Sequence, residues 1–516
     1  MAPPRPRHSR IVDSVSSVVL QRVDRVAARF DSAKGWWMGK PYLRHTLPQA
    51  ALIALIILYF LIFERLVWAR HVNFNTFDYD LGYNSQAAWL LAHGRGFNSI
   101  RGMQVLGHHV SPGFYLFAPV YWLGGGAQFL DVVNTAAVTL GAVPLFFIGR
   151  HRLKSDWFGL GLAAAYLFHY MPQWLIQETF HPENLAIAAL FAAFYFAMTR
   201  SWRWYWVAVV FALLWKEDVA LVVTMLGIFT FFFFKCRRVG AVTFGLGLVW
   251  FVIATKVVEP YFSPAGAVYD SLFGPLGSSA TEAVINSVRH PEIVARTLAS
   301  HGAENGALKL IRGYGFVPFG GAVVFILGVP QHVINFLTAQ SFTYDPLTHY
   351  FAMPFVAVTL AATWVLGNRR RSSVAWVLLF VMLLGVFTTK NEGVGPWTVN
   401  SHKGYWTQNG QPWKHDADEA LKLIPADVAV AAYYGFVPHI SERPLIYTYP
   451  NPWSPSNYGP GGAGLTADPS TVQYVMLLTS SLNADDRTQY EKLRASGEFE
   501  VVYDHPPIVL MHRISG

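Results

Sequence analysis

Hydrophobic residues fall into long runs that alternate with short polar connections along most of the chain. The first run extends from about 47 to 68, and another of similar length extends from about 127 to 149. Because a helix rises ~1.5 Å per residue, about twenty apolar residues cross the ~30 Å hydrocarbon core of a membrane. The pattern therefore predicts a polytopic α-helical membrane protein.

Further apolar runs raise the predicted number of spans to about eleven. The remaining spans are expected at approximately 157–176, 184–198, 202–215, 219–234, 239–257, 303–315, 320–338, 350–366 and 374–389. Segment 303–315 is only weakly apolar, and it is counted because the alternation of inner and outer loops requires a crossing there. The run at 110–123 has fourteen residues. It is too short to span comfortably, so we interpret it as a juxtamembrane or partly embedded helix.

The positions of Lys and Arg orient these spans. Basic residues concentrate in the cytoplasmic loops of multispan proteins. The clusters RHRLK (150–154), KCRR (235–238) and NRRR (368–371) therefore predict inner loops. The segment 1–46 holds nine Lys or Arg and three Asp, so it is predicted to be a basic cytoplasmic segment that can touch anionic lipid.

The same alternation places three large regions on the outer side of the membrane, namely the loops 69–126 and 258–302 and the carboxyl-terminal region 390–516. The last region is predicted to be a small extracytoplasmic α/β domain, because short strand patterns alternate with two helical patterns. The predicted strands are 427–434, 444–449, 472–478, 499–504 and 508–512, and the predicted helices are 416–424 and 485–496. Four tryptophans of this region can either stack on sugar rings or pack in the domain core: Trp397, Trp406, Trp413 and Trp453.

Composition agrees with a membrane protein. The chain is 53% hydrophobic and 14% charged, with a mean hydropathy of +0.30, whereas soluble domains carry roughly 25% charged residues. The net charge of +8 arises mostly from the N-terminal segment, and without an aromatic-interleaved basic fold it does not indicate nucleic-acid binding. The lone Cys236 excludes an internal disulfide and a cysteine-based metal cluster.

The stretch FDYDLGYNSQ (77–86) follows the first span and contains the acids Asp78 and Asp80. Two interpretations are open. These carboxylates can carry chemistry at the outer membrane surface, with Asp80 or alternatively Asp78 as the catalytic group. They can also merely cap a helix that begins near Gly82, since Asp is a favoured N-cap residue.

Four further polar clusters fall beside apolar runs on the same predicted side, where ionisable groups are costly and commonly functional or paired. They are His108 with His109; Glu178, His181 and Glu183; Lys216, Glu217 and Asp218; and Tyr344, His349 and Tyr350. Each also has a structural explanation: exposed histidines, a carboxylate at a helix start, internal Lys–Glu pairing, and an aromatic belt at the interface. The functional interpretation makes all of these residues except Glu178 substrate-binding groups, with Lys216 facing an anionic headgroup.

No nucleotide-binding P-loop, GxSxG elbow, HExxH motif or dinucleotide fingerprint occurs in the sequence. An enzyme on the outer face has no ready supply of ATP or nucleotide sugar. Its activated donor is therefore expected to arrive on a lipid. No complete metal-ligand set is recognisable, so no metal ligand is assigned and a divalent cation is left open.

Several motifs together resemble a family of uncharacterised predicted bacterial membrane proteins. In order they are DLG (80–82) with Gln86, HHVSP (108–112) followed by PVY (119–121), FHPE (180–183), KED (216–218) and THY (348–350). The run 420–447 also resembles that family's outer domain, and Asn84 stands where relatives often have a second acid. The family is similar to the GT-C glycosyltransferases, multispan enzymes that use polyprenyl-phosphate-linked sugars and have a catalytic acid in the first outer loop.

The resemblance implies a GT-C-like transmembrane domain over 47–389 in a multi-pass protein of the bacterial plasma membrane. It implies a glycosyltransferase that takes a polyprenyl-phosphate sugar and glycosylates a glycan or lipid acceptor of the cell envelope. Two other classes are kept open. A transporter or lipid flippase would use the same charges as a substrate path, and a non-catalytic scaffold or sensor would act through the outer domain.

Overall fold

The computed structural model describes residues 42–263, 270–278, 280–367, 372–403, 410–454, 458 and 467–514. The predictions made for 1–41, for the basic cluster 368–371 and for Trp406 lie outside these described residues. The helices of the amino-terminal part are α1 (Leu47–Val72), α2 (Tyr83–Ala92), α3 (Ala127–Leu140), α4 (Ala142–Leu153), α5 (Asp156–Phe168), α6 (Tyr170–Gln177), α7 (Asn184–Thr199), α8 (Trp202–Leu213), α9 (Val219–Phe232), α10 (Arg237–Ile253), α11 (Ala280–Arg289), α12 (Pro291–Ser300), α13 (Ala303–Arg312), α14 (Val329–Leu337), α15 (Ala352–Gly367) and α16 (Ser372–Thr388).

Four helical stretches of the described chain are long and apolar enough to cross a membrane. They are Tyr42–Val72, Ala127–Leu153, Arg237–Phe262 and His349–Leu366. Shorter apolar helices occupy several other predicted spans: Asp156–Phe168, Asn184–Thr199, Val219–Phe232 and Ser373–Thr388. The apolar helices agree with a membrane location, but helix length does not confirm a count of about eleven spans.

Two predicted spans differ from the structure. Segment 303–315 forms the ten-residue helix α13, which rises only about 15 Å and is too short to cross the membrane core. Segment 320–338 is not one straight helix, because Val317–Leu327 and Val329–Leu337 meet at an angle of 81°. A 3₁₀ segment forms its first half, and Gly328 separates the halves.

Apolar side chains cover the outside of the bundle as well as its core. In the most apolar window of Tyr42–Val72 only 22% of residues are buried, whereas the figure is 83% for His349–Leu366. The exposed side chains of the first helix include Ile53 and Leu61. A wide exposed apolar surface is costly in water and favourable in lipid, so α1 faces the membrane while α15 lies in the protein interior.

Strands β1 (Phe97–Asn98) and β2 (Met103–Gln104) pair with each other in the first long loop. The carboxyl-terminal region forms a five-stranded sheet. Its strands are β3 (Val430–Ala432), β4 (Ile446–Thr448), β5 (Tyr474–Leu478), β6 (Phe499–His505) and β7 (Ile508–Arg513), and its helices are α17 (Lys414–Lys422) and α18 (Ala484–Ala495). The strand order is β4-β3-β5-β7-β6, in which β3 is parallel to both neighbours and β7 is antiparallel to β5 and β6. The predicted α/β domain is thus present, with five strands and two α-helices in the described residues of this region.

The first long loop and this sheet share one hydrophobic core. Phe74, Tyr83 and Ile100 pack with Val430 and Ile446. Polar contacts reinforce the packing. The buried Ser99 hydroxyl donates to the carbonyl of Ile446 over 2.7 Å and accepts from its backbone N–H over 2.8 Å. We call the end of the helical bundle that contacts the sheet the sheet end.

Ser99→Ala is expected to weaken this joint, because it leaves the N–H and the carbonyl of Ile446 without their buried partner. An unsatisfied buried polar group costs about 1–3 kcal/mol. Thermal unfolding of the purified protein in detergent measures the loss. Thr488→Ala is the matched control, because the Thr488 hydroxyl donates to the Ala484 carbonyl within an exposed helix turn. Equal stability of the two variants would contradict this account of the joint.

Candidate active site

The predicted acidic stretch folds as a single wide helical turn, Asp78–Gly82, that leads into α2. Its two carboxylates face different parts of the protein. Asp78 is buried and accepts a hydrogen bond from Thr448 Oγ1 over 2.6 Å, so it joins the turn to strand β4. The Asp80 side chain keeps 41% of its surface exposed and faces a cavity at the sheet end of the bundle.

The interpretation of these acids as helix caps is wrong. Within the described chain, no side-chain cap bond is present at the start of the turn or at the start of α2. Gly82 is needed here for closeness to the sheet domain, because a Cβ at this position would lie 2.9 Å from Val437 Cγ1. Asn84 Nδ2 donates to the carbonyls of Asp80 and Phe180 over 2.8 and 3.3 Å, which ties the acidic turn to the FHPE segment.

A cavity of about 450 Å³ opens beside Asp80 and receives residues from all five polar clusters. The predicted site residues on its wall are Asp80, His108, His109, His181, Glu183, Lys216, Glu217, Asp218, His349 and Tyr350. Two predicted residues lie elsewhere. Asp78 is bonded to Thr448, and the ring of Tyr344 stacks on His301 with 4.4 Å between centroids.

Two imidazoles stand next to Asp80. His181 Nε2 lies 3.5 Å from Asp80 Oδ1, and the His181 ring stacks on His349 with centroids 3.7 Å apart and an interplanar angle of 16°. His349 Nδ1 lies 3.3 Å from Glu178 Oε2, which also accepts from the backbone N–H of His349. The donor atoms of Glu178, His181 and His349 fall within 4.8 Å of one another, so these three residues could hold a metal ion.

Lys216 is buried where α8 ends and α9 begins. Its ammonium donates to Glu183 Oε1 over 2.9 Å and lies 3.5 Å from Asp218 Oδ2. Nζ also lies 5.6 Å from the ring centroid of Tyr350, a cation–π distance. Lys216 is therefore paired on the cavity wall, chiefly with Glu183 of another cluster, and its partner inside the triplet is Asp218 instead of the expected glutamate.

Glu217 also lies on the cavity wall. Its carboxylate accepts from the backbone N–H of Val110 over 3.0 Å and lies 2.8 Å from His109 Nδ1. The ring of His108 meets that of Tyr83 edge-on at 4.7 Å, and burial holds the pKa of His108 well below its usual range. His108 is thus a neutral imidazole at pH 7, so it contributes hydrogen-bonding capacity to the wall and no positive charge.

The charges of the wall shift one another's pKa. Enclosure acts to raise the pKa of Asp80, but its hydrogen bond and charge interaction with His181 outweigh this effect and lower it. Burial likewise acts to raise the pKa of Glu183, and Lys216 outweighs it, so that Glu183 stays ionised. Burial, opposed by Lys216 and reinforced by Glu183 and Glu217, raises the pKa of Asp218 to about 7. Asp218 can therefore hold or release a proton near neutral pH.

Acidic groups outnumber permanent cations on the cavity wall. Its carboxylates are Asp80, Glu183, Glu217, Asp218 and Glu259, and its Lys and Arg side chains are Arg101, Lys216 and Lys256. A phosphate entering the cavity therefore needs further positive charge. Protonated imidazoles can supply it, and so can a bound cation.

The wall also contains residues that were not predicted from the sequence, among them Arg101, Lys256, Glu259, Gln331 and Asn335. Lys256 and Glu259 had a detectable signal, since they are charged groups at the end of the predicted span 239–257. Gln331 and Asn335 lie one turn apart on α14, where Gln331 Nε2 donates to Asn335 Oδ1 over 2.8 Å. They were missed because uncharged amides are common in helices.

The fold and the cavity define a polytopic helical membrane protein with a polar site at one end of the bundle. The chain belongs to the family of predicted membrane proteins termed DUF2079, whose model matches residues 70–510. The family resemblance carried by the motifs is thereby confirmed. A comparison with curated proteins finds no match.

Two solved structures are similar to the chain at low sequence identity. The crystal structure of ArnT from Cupriavidus metallidurans in the apo state is 14% identical, with a TM-score of 0.50, and the similarity covers 89% of this chain and 98% of that one. The crystal structure of the same ArnT bound to undecaprenyl phosphate is also 14% identical, with a TM-score of 0.47 and coverage of 94% and 99%. The apo structure establishes similarity of fold only.

Asp78→Asn tests whether Asp78 is a structural carboxyl. Burial, partly offset by the hydrogen bond from Thr448, raises the pKa of Asp78 from 3.8 to about 6. Because the pKa of Asp78 is higher in the folded than in the unfolded protein, the protonated carboxyl stabilises the fold below pH 4. This contribution to the free energy of unfolding is lost as the pH rises through 6. A shift of about two units corresponds to about 3 kcal/mol.

The variant is therefore expected to be more stable than the wild type at pH 8, and the difference should disappear as pH falls to 4. Asparagine keeps an acceptor for Thr448. Thermal unfolding in detergent across this pH range measures the effect, with the exposed Asp427→Asn as control. A pH-independent difference between Asp78→Asn and wild type would exclude this account of Asp78.

Proposed function

We propose that the protein is a membrane glycosyltransferase that takes a sugar from a polyprenyl phosphate and transfers it to a glycan or lipid acceptor of the cell envelope. The observation that carries the proposal is the position of the Asp80 carboxylate on the cavity of an apolar helical bundle, 3.5 Å from His181. The cavity wall combines charged groups with apolar groups such as Leu221, Phe251 and Ile334. Such a wall suits an amphipathic ligand with a polar head and a lipid chain.

Asp80 is the proposed general base. Its pKa is lowered, so it is ionised at pH 7 and can accept a proton. The acceptor hydroxyl oxygen forms a bond to the anomeric carbon of the sugar while that carbon's bond to the phosphate oxygen breaks. The hydroxyl proton passes to Asp80, and the polyprenyl phosphate leaves with the bonding electron pair. A positioned carboxylate of this kind contributes typically 10²–10⁴-fold to rate.

Lys216, His349 and Tyr350 are proposed to face the departing phosphate, since charged and polar donors stabilise a developing anion. Glu183 and Asp218 hold the Lys216 ammonium at 2.9 and 3.5 Å, which positions it beside Tyr350.

The other proposed substrate-binding groups line the same cavity and are proposed to position the acceptor. They are His108, His109, His181 and Glu217. Asp78 and Tyr344 have less support as site residues, because neither lies on the cavity wall.

The sheet domain is proposed to contribute to acceptor binding, because its contacts with the first long loop bring it next to the Asp80 turn. Two of its candidate tryptophans are already engaged in packing. Trp413 lies 5.5 Å from the Phe74 ring and Trp453 lies 6.3 Å from Phe499. The ring centroid of Trp397 lies 6.1 Å from that of Tyr59 and 5.5 Å from that of Phe63, both on α1. These three tryptophans therefore contribute to the packing of the fold.

A lipid flippase or transporter is the second candidate, and one observation favours it. The segment before α14 is broken at Gly328 by 81°, and Gln331 and Asn335 of α14 face the cavity. Broken helices that present polar groups to a buried cavity are common in transporters. The same cavity would then hold a lipid headgroup during transfer across the membrane without chemistry.

Asp80→Asn separates these possibilities. Purified protein in detergent is incubated with candidate polyprenyl-phosphate sugars, and release of the polyprenyl phosphate is measured. The variant is expected to lose at least about 100-fold in rate because the proton acceptor is gone, while binding of undecaprenyl phosphate persists. Asp78→Asn is the matched control and should retain activity, since its side chain bonds to Thr448 away from the cavity.

The lipid probe is undecaprenyl phosphate, the lipid present in one of the ArnT crystal structures. A wild type that releases no polyprenyl phosphate from any donor, yet moves lipid across proteoliposomes, would overturn the enzyme proposal in favour of transport. Equal activity of Asp80→Asn and wild type would remove Asp80 as the base.

A further inference from the structure

We propose that the side-chain amide oxygen of Gln331 recognises a hydroxyl group on the sugar of the ligand. Gln331 lies on α14, is only 5% exposed and lines the cavity. Its Oε1 atom has no hydrogen-bond partner among the described residues. The inference rests on the proposed function, because it concerns the sugar of a polyprenyl-phosphate-linked ligand.

A chain of hydrogen bonds fixes which end of the Gln331 amide is available to a ligand. The backbone carbonyl of Tyr350 can only accept, so Asn335 presents its amino group there, and Nδ2 donates over 2.8 Å. The side-chain oxygen of Asn335 therefore faces Gln331, from whose Nε2 atom it accepts over 2.8 Å. The amide oxygen of Gln331, and not its amino group, is left for the ligand.

An acceptor without a partner selects a ligand group that donates. A buried polar atom without a hydrogen bond is costly, and an O–H or N–H group of a ligand removes that cost. The phosphodiester of a polyprenyl-linked sugar carries no O–H group at neutral pH, and the polyprenyl chain is a hydrocarbon. Of the three parts of such a ligand, only the sugar can therefore donate to Gln331 Oε1.

The position of Gln331 agrees with this assignment. Asn335 is bonded to the carbonyl of Tyr350, and the ring centroid of Tyr350 lies 5.6 Å from Lys216 Nζ. Gln331 precedes Asn335 by four residues, which rise about 6 Å along a helix. A sugar attached to a phosphate beside Lys216 and Tyr350 is therefore close to the Gln331 amide.

The wall near the two amides also suits a sugar ring. Phe342 and Tyr350 both line the cavity, with ring centroids 5.8 Å apart, and Ile334 lies between the two amides in the sequence of α14. Ligand sites are commonly apolar and aromatic, with a few fixed polar groups that orient the ligand. A sugar ring fits such a wall, because it has apolar C–H faces and hydroxyl groups at its edge.

The alternative is that an ordered water satisfies Gln331 Oε1 and that the sugar binds elsewhere. Gln331→Met distinguishes the two accounts, because it removes the amide at nearly constant side-chain length. The probes are undecaprenyl phosphate and its glucosyl, mannosyl and galactosyl esters. Calorimetry in detergent measures their dissociation constants, with Asp80→Asn present in every full-length protein so that no probe is cleaved.

Gln331→Met is expected to bind at least one sugar-bearing probe about tenfold more weakly, because one hydrogen bond at a buried site is lost. Its affinity for undecaprenyl phosphate should stay unchanged, which also reports an intact fold. Gln331→Asn withdraws the amide from the cavity by one methylene group and should show the same selective loss. Gln340→Met is the matched control, since Gln340 follows α14 and is absent from the described cavity wall.

Two results would overturn the assignment while lipid binding persists. One is equal affinity of Gln331→Met and Gln340→Met for all three sugar-bearing probes. The other is an equal loss of affinity for undecaprenyl phosphate and its sugar esters in both Gln331 variants, since the amide would then act on the lipid or the fold. Failure of the proposed function is distinguishable, because the Asp80→Asn protein would then bind none of the four probes, and the assignment would fall with it.

Discussion

The pairing of the Lys216 ammonium with Glu183, 2.9 Å apart and both buried, is the interaction on which the cavity depends. Breaking a buried ion pair by removing one partner costs about 3–5 kcal/mol, because the remaining charge stays without compensation. The pair extends to His349 through Glu183 and to Asp80 through the stacked His181 ring. Helix ends that are far apart in sequence are thereby joined around the cavity.

The sheet domain provides the second support for this space. Its residues share a core with the first long loop, and Thr448 holds Asp78 while Ser99 bonds to Ile446. The sheet domain contacts the turn Asp78–Gly82 through Asp78 and Gly82, and the Asp80 carboxylate faces the cavity. The domain therefore acts as a structural part of the candidate site, whatever it contributes to acceptor binding.

Sequence reasoning was strongest where one physical cost dominates. Burying a charge beside apolar helices is expensive, so the clusters at His181 and Lys216 stood out without any structure, and they do meet in one cavity. It was less accurate for the lengths of helices and for the directions of side chains. The segment 303–315 is too short to cross, and 320–338 is bent. The Asp78 carboxylate faces Thr448 and not the cavity, because residues two apart on a helical turn point to nearly opposite sides.

The sequence by itself determined the membrane class, the α/β nature of the last region and the identity of the polar groups, because hydrophobic periodicity and the cost of buried charge act locally. Tertiary structure alone decided which groups meet. Glu178 and His349 are 171 residues apart and His181 reaches Asp80 across about a hundred. Such contacts depend on how helices pack, and packing is set by the whole bundle and the sheet together.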